Sequence, residues 1–282
     1  MTGQGVTGQG VTGQGVTGQG VTLRCPVRTC HLELVRDRQR LVCAGGHSFD
    51  VARSGYVNLL QPQDRRSKQP GDTAAAVAGR RRLHDSGATA PLLEAIAEVL
   101  ALSAGDTVLD AGCGEGFYPG VLAERSGCTA CGVDISVAAI EAAARRYPAC
   151  QWIVANADRF VPYPDASFTV VQSITARMNA TEFRRVLRDD GRLLVALPGP
   201  EDLIELRGEG RDRAARTVEG FAADFELVEQ RRVTTSVDLS APMVQDVLHS
   251  IYRPAGSHRV EAQRVTLSLD LLLFRPHARI RL

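Results

Sequence analysis

The sequence predicts an α/β fold: a mostly parallel sheet covered by helices on both faces, preceded by a small cysteine-bearing module. Three observations predict it. Between Thr107 and Leu197 short apolar strands alternate with helical stretches, the pattern of parallel strands joined by helical crossovers. A glycine turn, Gly112-Cys-Gly-Glu-Gly116, follows the first of those strands and opens a helix. Further upstream, Cys25, Cys30, Cys43 and His47 are spaced C-x4-C-x12-C-x3-H, which suits a segment stapled by a metal rather than by a large core.

Composition narrows the class. The 282 residues are 44% hydrophobic and 23% charged, which excludes wholesale disorder. No apolar run approaches the ~20 residues of a membrane-spanning helix, and no secretory signal is expected at the N-terminus. Seven cysteines, an odd number, do not suit a disulfide scaffold, so a cytoplasmic location is expected. The net charge of +1 hides an asymmetry: residues 22–90 carry twelve basic against six acidic side chains, leaving 21 basic and 26 acidic for 91–282. A basic module joined to a mildly acidic one suggests an anionic partner for the first part.

Taken in order, residues 2–21 are four copies of Thr-Gly-Gln-Gly-Val, too glycine-rich to bury a core, so 1–22 is expected to be a disordered tail. Residues 23–60 form the cysteine module, and 61–90 a basic loop and linker helix. In that stretch Asp72 or Thr73 caps a helix over Ala74–His84 that Gly87 ends. The main domain spans 91–282. It opens with a helix over Ala90–Leu102 whose Leu92, Leu93, Ile96, Val99 and Leu100 share a face. Strands follow at Thr107–Ala111, Thr129–Val133, Trp152–Ala155, Phe168–Ser173 and Arg192–Leu197, with helices near Tyr118–Arg125 and Val137–Arg146. Two long runs, Glu226–Leu239 and Arg264–Phe274, flank a helix near Pro242–Tyr252 and read as an antiparallel pair at the sheet edge.

Two sites carry chemistry. Cys25, Cys30, Cys43 and His47 supply four tetrahedral donors for one Zn2+, with Gly45 and Gly46 allowing the turn that returns His47; His31 is the alternative imidazole. Cys128, Cys131 and Cys150 read as structural, the first two facing opposite ways along a strand. In the glycine turn the spacing is G-x-G-x-G rather than the G-x-G-x-x-G of a dinucleotide site, and Asp110 stands just before it. A carboxylate there repels a pyrophosphate and suits a cation such as the sulfonium and amino groups of S-adenosylmethionine (SAM). Asp134, eighteen residues beyond Gly116, is placed for ribose hydroxyls, and Asn156-Ala-Asp158 for an adenine edge. The expected cofactor contacts are Asp110, Gly112, Gly114, Glu115, Gly116, Asp134, Ile135, Ala157 and Asp158.

These residues, with His47-Ser-Phe-Asp50, Gly55-Tyr-Val-Asn-Leu-Leu60, Arg66-Ser-Lys-Gln-Pro-Gly-Asp72, Ala144-Arg-Arg-Tyr-Pro148 and Pro198-Gly-Pro200, resemble the RlmA/TlrB-type 23S rRNA (guanine-N1)-methyltransferases, a group that includes macrolide-resistance enzymes. The resemblance implies a zinc ribbon that helps hold rRNA, a Rossmann-like, seven-stranded class I methyltransferase sheet, a 23S rRNA stem-loop as substrate and a homodimer. Besides two extra residues in the first cysteine pair, three positions depart from the family pattern: Thr89 replaces an aromatic over the cofactor, Ile174-Thr-Ala-Arg177 replaces a Tyr/Phe-Ala-Pro segment, and Asp202 replaces a histidine. Arg53, Arg65, Arg66 and Lys68 are the expected RNA contacts, with Arg80–Arg82 either contacting RNA or forming a solvated helix face. No general base is assigned; Asp202 and the backbone around Pro198–Pro200 are candidates by position alone. Two alternatives stay open, a methyltransferase of a biosynthetic small molecule and an inactive SAM- or RNA-binding relative.

Overall fold

In the computed structural model, which describes residues 20–65, 70–250 and 260–278, the N-terminal segment folds as a four-stranded antiparallel sheet. Its strands are β1 (Leu23–Arg24), β2 (Glu33–Asp37), β3 (Arg40–Val42) and β4 (Ser48–Asp50), in that spatial order. The Thr-Gly-Gln-Gly-Val repeats through residue 19 lie outside the described residues, as do Arg66 and Lys68. So small a sheet buries few side chains, chiefly Leu23, Cys25, Leu34, Leu41 and Cys43.

A short strand, β5 (Val57–Asn58), leads through a 3-10 turn at Pro62–Asp64 to helix α1 (Ala74–Asp85). Thr73 is the residue that caps α1, its hydroxyl accepting from the Ala76 amide at 3.2 Å. Helix α2 (Ala90–Leu100) stops two residues short of the expected end, where Ala101 turns left-handed at φ 44°. Leu92, Leu93, Ile96 and Leu100 of α2 are buried, each contributing about 2 kcal/mol of apolar burial.

The alternation then runs β6 (Thr107–Ala111), α3 (Phe117–Ser126), β7 (Thr129–Asp134), α4 (Val137–Arg146), β8 (Gln151–Val154), β9 (Phe168–Ile174), α5 (Ala180–Val186) and β10 (Leu187–Pro198). Two short helices, α6 (Ile204–Arg207) and α7 (Ala214–Phe221), precede β11 (Phe225–Leu239), α8 (Ala241–Ser250) and β12 (Gln263–Pro276). Helix α8 is described to Ser250; the expected continuation to Tyr252 falls on residues outside the described ones.

The large sheet has the order β11-β12-β10-β9-β6-β7-β8-β5. Strands β10, β9, β6, β7 and β8 run parallel, and β12 lies antiparallel between β10 and β11, as expected of a closing pair. The expected seven strands are all present, and an eighth corrects the count: β5 adds in parallel to the otherwise open edge of β8, burying Val57 and Leu59. An isolated bridge between Val51 and Val57 ties the small sheet to that edge.

Side chains of β6 divide between the two faces. Leu109 belongs to one apolar cluster with Ile153, Phe168, Phe274 and the buried leucines of the small sheet, whereas Val108 belongs to another with residues of α2, Leu194 and Val244. Cys131, Cys128 and Cys150 fall in three separate apolar clusters, consistent with packing roles. Among the described residues no helix is long and apolar enough to cross a membrane.

Candidate cofactor cleft and metal cluster

Parallel strands leave their carboxyl ends open, and a cleft of about 460 Å³ lies there, beyond β6, β7, β8 and β9. Its floor begins with Asp110, second from the end of β6. Gly112, Gly114 and Gly116 all take positive φ, so the chain turns sharply before α3. Gly112 also admits a close approach: a Cβ built there would lie 2.3 Å from the Cβ of Ala176.

Of the nine expected cofactor contacts, Asp110, Gly112, Gly114, Glu115, Asp134, Ile135, Ala157 and Asp158 line this cleft. Gly116 is not among its walls. It packs instead on Trp152, whose Cη2 would meet an added Cβ at 2.3 Å.

Asp134 is locked by two backbone donors, Gly114 N–H at 2.9 Å and Ser136 N–H at 2.8 Å, which tie the glycine turn to the end of β7. Asp110 is 1% exposed; one carboxylate oxygen accepts from Gln172 Nε2 at 2.8 Å, and the other, Oδ1, has no partner. Burial pushes the Asp110 carboxyl up to about 7, opposed by the Gln172 bond and reinforced by the charge of Asp134. Asp72, Glu115 and Asp158 add three more carboxylates to the walls, against the cations Arg80 and Arg177. A buried carboxylate oxygen without a donor, in a cleft rich in acids, suits a ligand that brings an ammonium or sulfonium charge. The residues present therefore fit SAM.

Several contacts in the walls lie beyond what the sequence shows. Arg80 donates from Nε to Glu115 Oε2 at 2.8 Å and also pairs with Asp72, and His84 Nε2 lies 3.4 Å from Glu115 Oε1. The side chain of Glu115 thus clamps α1 onto the glycine turn. Arg81 pairs with Asp85 and Arg82 with Asp246, so the Arg80–Arg82 run is engaged within the chain. Gln172, a polar residue inside the apolar run of β9, carried a usable signal: such a residue in a strand buried on both faces needs a polar partner.

The three departures also have places. Thr89 is buried and its hydroxyl lies 2.7 Å from His84 Nδ1; the ring of His84 stacks on Phe117 at 3.9 Å. Phe117 and Tyr118 supply the aromatic wall. Ile174 to Arg177 line the cleft, with Arg177 Nη1 3.5 Å from Asp158. Asp202 accepts from Arg207 at 2.6 Å and from the Ser268 amide at 2.9 Å, which occupies both of its oxygens away from the cleft walls. Arg53 and Arg65 are exposed.

In the small sheet, the donor atoms of Cys25, Cys30, Cys43 and His47 lie within 4.8 Å of one another. Cys30 and Cys43 sulfurs are 3.7 Å apart, and His47 Nδ1 is 3.5 Å from Cys25 Sγ and 3.4 Å from Cys43 Sγ. Zn–S bonds of about 2.3 Å place tetrahedral sulfurs about 3.8 Å apart, so this donor set fits Zn2+. The turn is made by Gly46 N–H donating to the Cys43 carbonyl at 3.0 Å, with Gly46 at φ 82°. His31 stands apart, its ring 4.5 Å from that of Phe160.

Known proteins give the same two parts. The family model described as RlmA, N-terminal, a zinc ribbon, matches residues 23–68, and a methyltransferase-domain model matches 108–195. A 23S rRNA (guanine(748)-N(1))-methyltransferase of Streptomyces fradiae is 38% identical over 77% of this chain and 80% of its own length. A Micromonospora griseorubida protein named as a candidate 23S rRNA (guanine-N(1)-)-methyltransferase is 36% identical over 65% of this chain and 68% of its own. Among solved structures, a chain from the complex of the Haloferax volcanii Trm112 methyltransferase activator with a candidate methyltransferase superposes with a TM-score of 0.51 at 19% identity, covering 74% of this chain and 96% of that one. That likeness extends to the fold.

Proposed function

The chain belongs to the 23S rRNA (guanine-N1)-methyltransferase family, and from that premise we propose that it methylates N1 of a guanine in a 23S rRNA stem-loop, using SAM as methyl donor. The observation that carries the proposal is the unpartnered, buried Asp110 oxygen in an acidic cleft, in a chain that also holds a Cys3His module whose donors suit zinc.

Bound SAM supplies an electrophilic methyl group on a cationic sulfonium. The chain's own residues bind and orient. Asp110 accepts from the amino group, and Asp134, already held by Gly114 and Ser136, offers its remaining lone pairs to ribose hydroxyls. Asn156, Ala157 and Asp158 meet the adenine edge, Asp158 N–H being itself held by Asn156 Oδ1 at 3.1 Å. Ile174 to Arg177, which line the cleft, form the wall against which the target base is placed, and their contribution is to hold it in line with the methyl group.

Cys25, Cys30, Cys43 and His47 hold one zinc ion, which shapes the small sheet that grips RNA with Arg53, Arg65, Arg66 and Lys68. Homodimer formation and a cytoplasmic location belong to the same proposal.

The test is incubation of the zinc-loaded protein with methyl-labelled SAM and unmethylated 23S rRNA, followed by nuclease digestion. Label in 1-methylguanosine supports the proposal. Label only in low-molecular-weight material indicates a small-molecule methyltransferase, and binding of SAM without transfer indicates an inactive relative; either overturns it.

A further inference from the structure

We infer that Gln172 is a positioning residue, which aims the free oxygen of Asp110 into the cleft and reserves it for a cationic ligand. The inference rests on the SAM-binding role of the cleft and goes beyond it by assigning a residue that does not itself need to touch the ligand.

The geometry is set by the backbone. Strands β6 and β9 pair in parallel with Asp110 directly opposite Gln172, so both side chains rise on the same face. Gln172 is fully buried, and its Nε2 donates to Asp110 Oδ2 at 2.8 Å. Asp110 Oδ1 has no partner, and neither has Gln172 Oε1. The amide is thus committed to a single task, holding one oxygen so that the other is presented to the cleft.

The surrounding charges give Asp110 little other help. From β7 comes the like charge of Asp134. The glycine turn and α3 bring Cys113, Glu115 and Tyr118, none of them cationic. From α1 and the segment before it, Arg80 is taken by Glu115 and Asp72, and His84 faces Glu115 and Thr89; beyond the end of β9, the other cation of the cleft, Arg177, pairs with Asp158 at 3.5 Å. A neutral amide donor is therefore what favours the ionised carboxylate, since a hydrogen bond to the charged form lowers the pH at which it protonates. A hydrophobic residue at 172 loses that donor. An ionised glutamate there sets a like charge against Asp110 and removes the donor as well.

Calorimetric titration of SAM into the zinc-loaded protein, from about pH 6 to about pH 9, tests this on wild type, Gln172→Met and Gln172→Glu, with thermal midpoints as the folding control. In wild type the affinity falls on the acid side as Asp110 takes up a proton. In Gln172→Met the fall moves to higher pH by about one unit, so affinity at neutral pH drops roughly tenfold and recovers as the pH is raised. Gln172→Glu is weaker throughout. In an Asp110→Asn background the Gln172→Met change leaves the pH profile unmoved. If Gln172→Met does not fold, Gln172→Asn, whose amide falls one methylene short, is expected to give the same displacement. In Gln172→Met, a uniform loss of affinity at every pH, or no change, overturns the inference. Wild type that binds no SAM at any pH overturns instead the cofactor role on which it rests.

Discussion

Arg80 on α1 donates from Nε to Glu115 Oε2 at 2.8 Å, joining a helix that precedes the main sheet to the glycine turn at its centre. Glu115 is buried while Arg80 is 27% exposed at its side chain. The pair therefore sits at the boundary where removing one partner strands the other.

Arg80→Met is expected to cost about 3 kcal/mol, the lower end for a buried pair because Arg80 keeps some solvent. Burial pushes the Glu115 carboxyl up, but hydrogen bonding to His84 and the charge of Arg80 outweigh it and hold it at about 2. A carboxyl held low contributes stability that is complete above its ordinary value near 4.5 and is lost as the pH falls toward 2. Denaturation followed across that acid range should show Arg80→Met losing less stability than the wild type as the pH falls from 4.5 toward 2, so that the two proteins converge at the acid end. Identical acid limbs for the two proteins would contradict the assignment.

Gly112→Ala tests the close approach at the cleft floor. Its φ of 88° disfavours any side chain, and the new Cβ meets the Ala176 Cβ at 2.3 Å. A methyl against a methyl cannot swing aside, so a cost of about 1–3 kcal/mol and a weakened SAM affinity are expected. Thermal midpoint and calorimetry measure both, and an unchanged affinity would show that Ala176 yields freely.

Cys43→Ser is expected to lose about one zinc per chain by metal analysis, because three donors do not close a structural site. His31→Ala should retain the metal, since that ring packs on Phe160 instead. Zinc retained in the first variant or lost in the second would reassign the ligand set.

Arg66→Ala and Lys68→Ala are expected to weaken rRNA binding and to lower the slope of log affinity against log salt by about one each, as for lost phosphate contacts. Filter binding over a salt series reads this. Arg82→Ala should leave the slope unchanged because its guanidinium is held by Asp246 at 2.7 and 2.5 Å.

How far the sequence could be read depended on whether the signal was local. The strands β6 to β9 and helices α2 to α4 were legible because their apolar runs lie within a few residues of each other. Helices α5, α6 and α7 were not foreseen; at four to eight residues they are too short for periodicity to speak. Strand β10 begins at Leu187 rather than the expected Arg192, because Arg188, Asp189 and Asp190 read as a turn and the register shifts there. Strand β5 was hidden since two residues carry no pattern, and only the open edge of β8 gives them a partner.

The site divides the same way. Asp110, Asp134 and the Cys3His set stood out by spacing. Arg80 was read as an RNA contact or a solvated residue and Gln172 was not singled out, because their partners, Glu115 and Asp110, lie 35 and 62 residues away in the chain. The close packing of Gly116 was not legible either: an added Cβ would meet Trp152 of β8 and Ala143 of α4, which lie 36 and 27 residues away.

The most direct measurement is calorimetric titration of the zinc-loaded chain with SAM and, separately, with a nicotinamide dinucleotide. One SAM is expected to bind per chain, weakened roughly 10- to 100-fold by Asp110→Asn through the loss of a charge-assisted hydrogen bond, with no uptake of the dinucleotide. Absence of SAM binding, or uptake of the dinucleotide in its place, would contradict this.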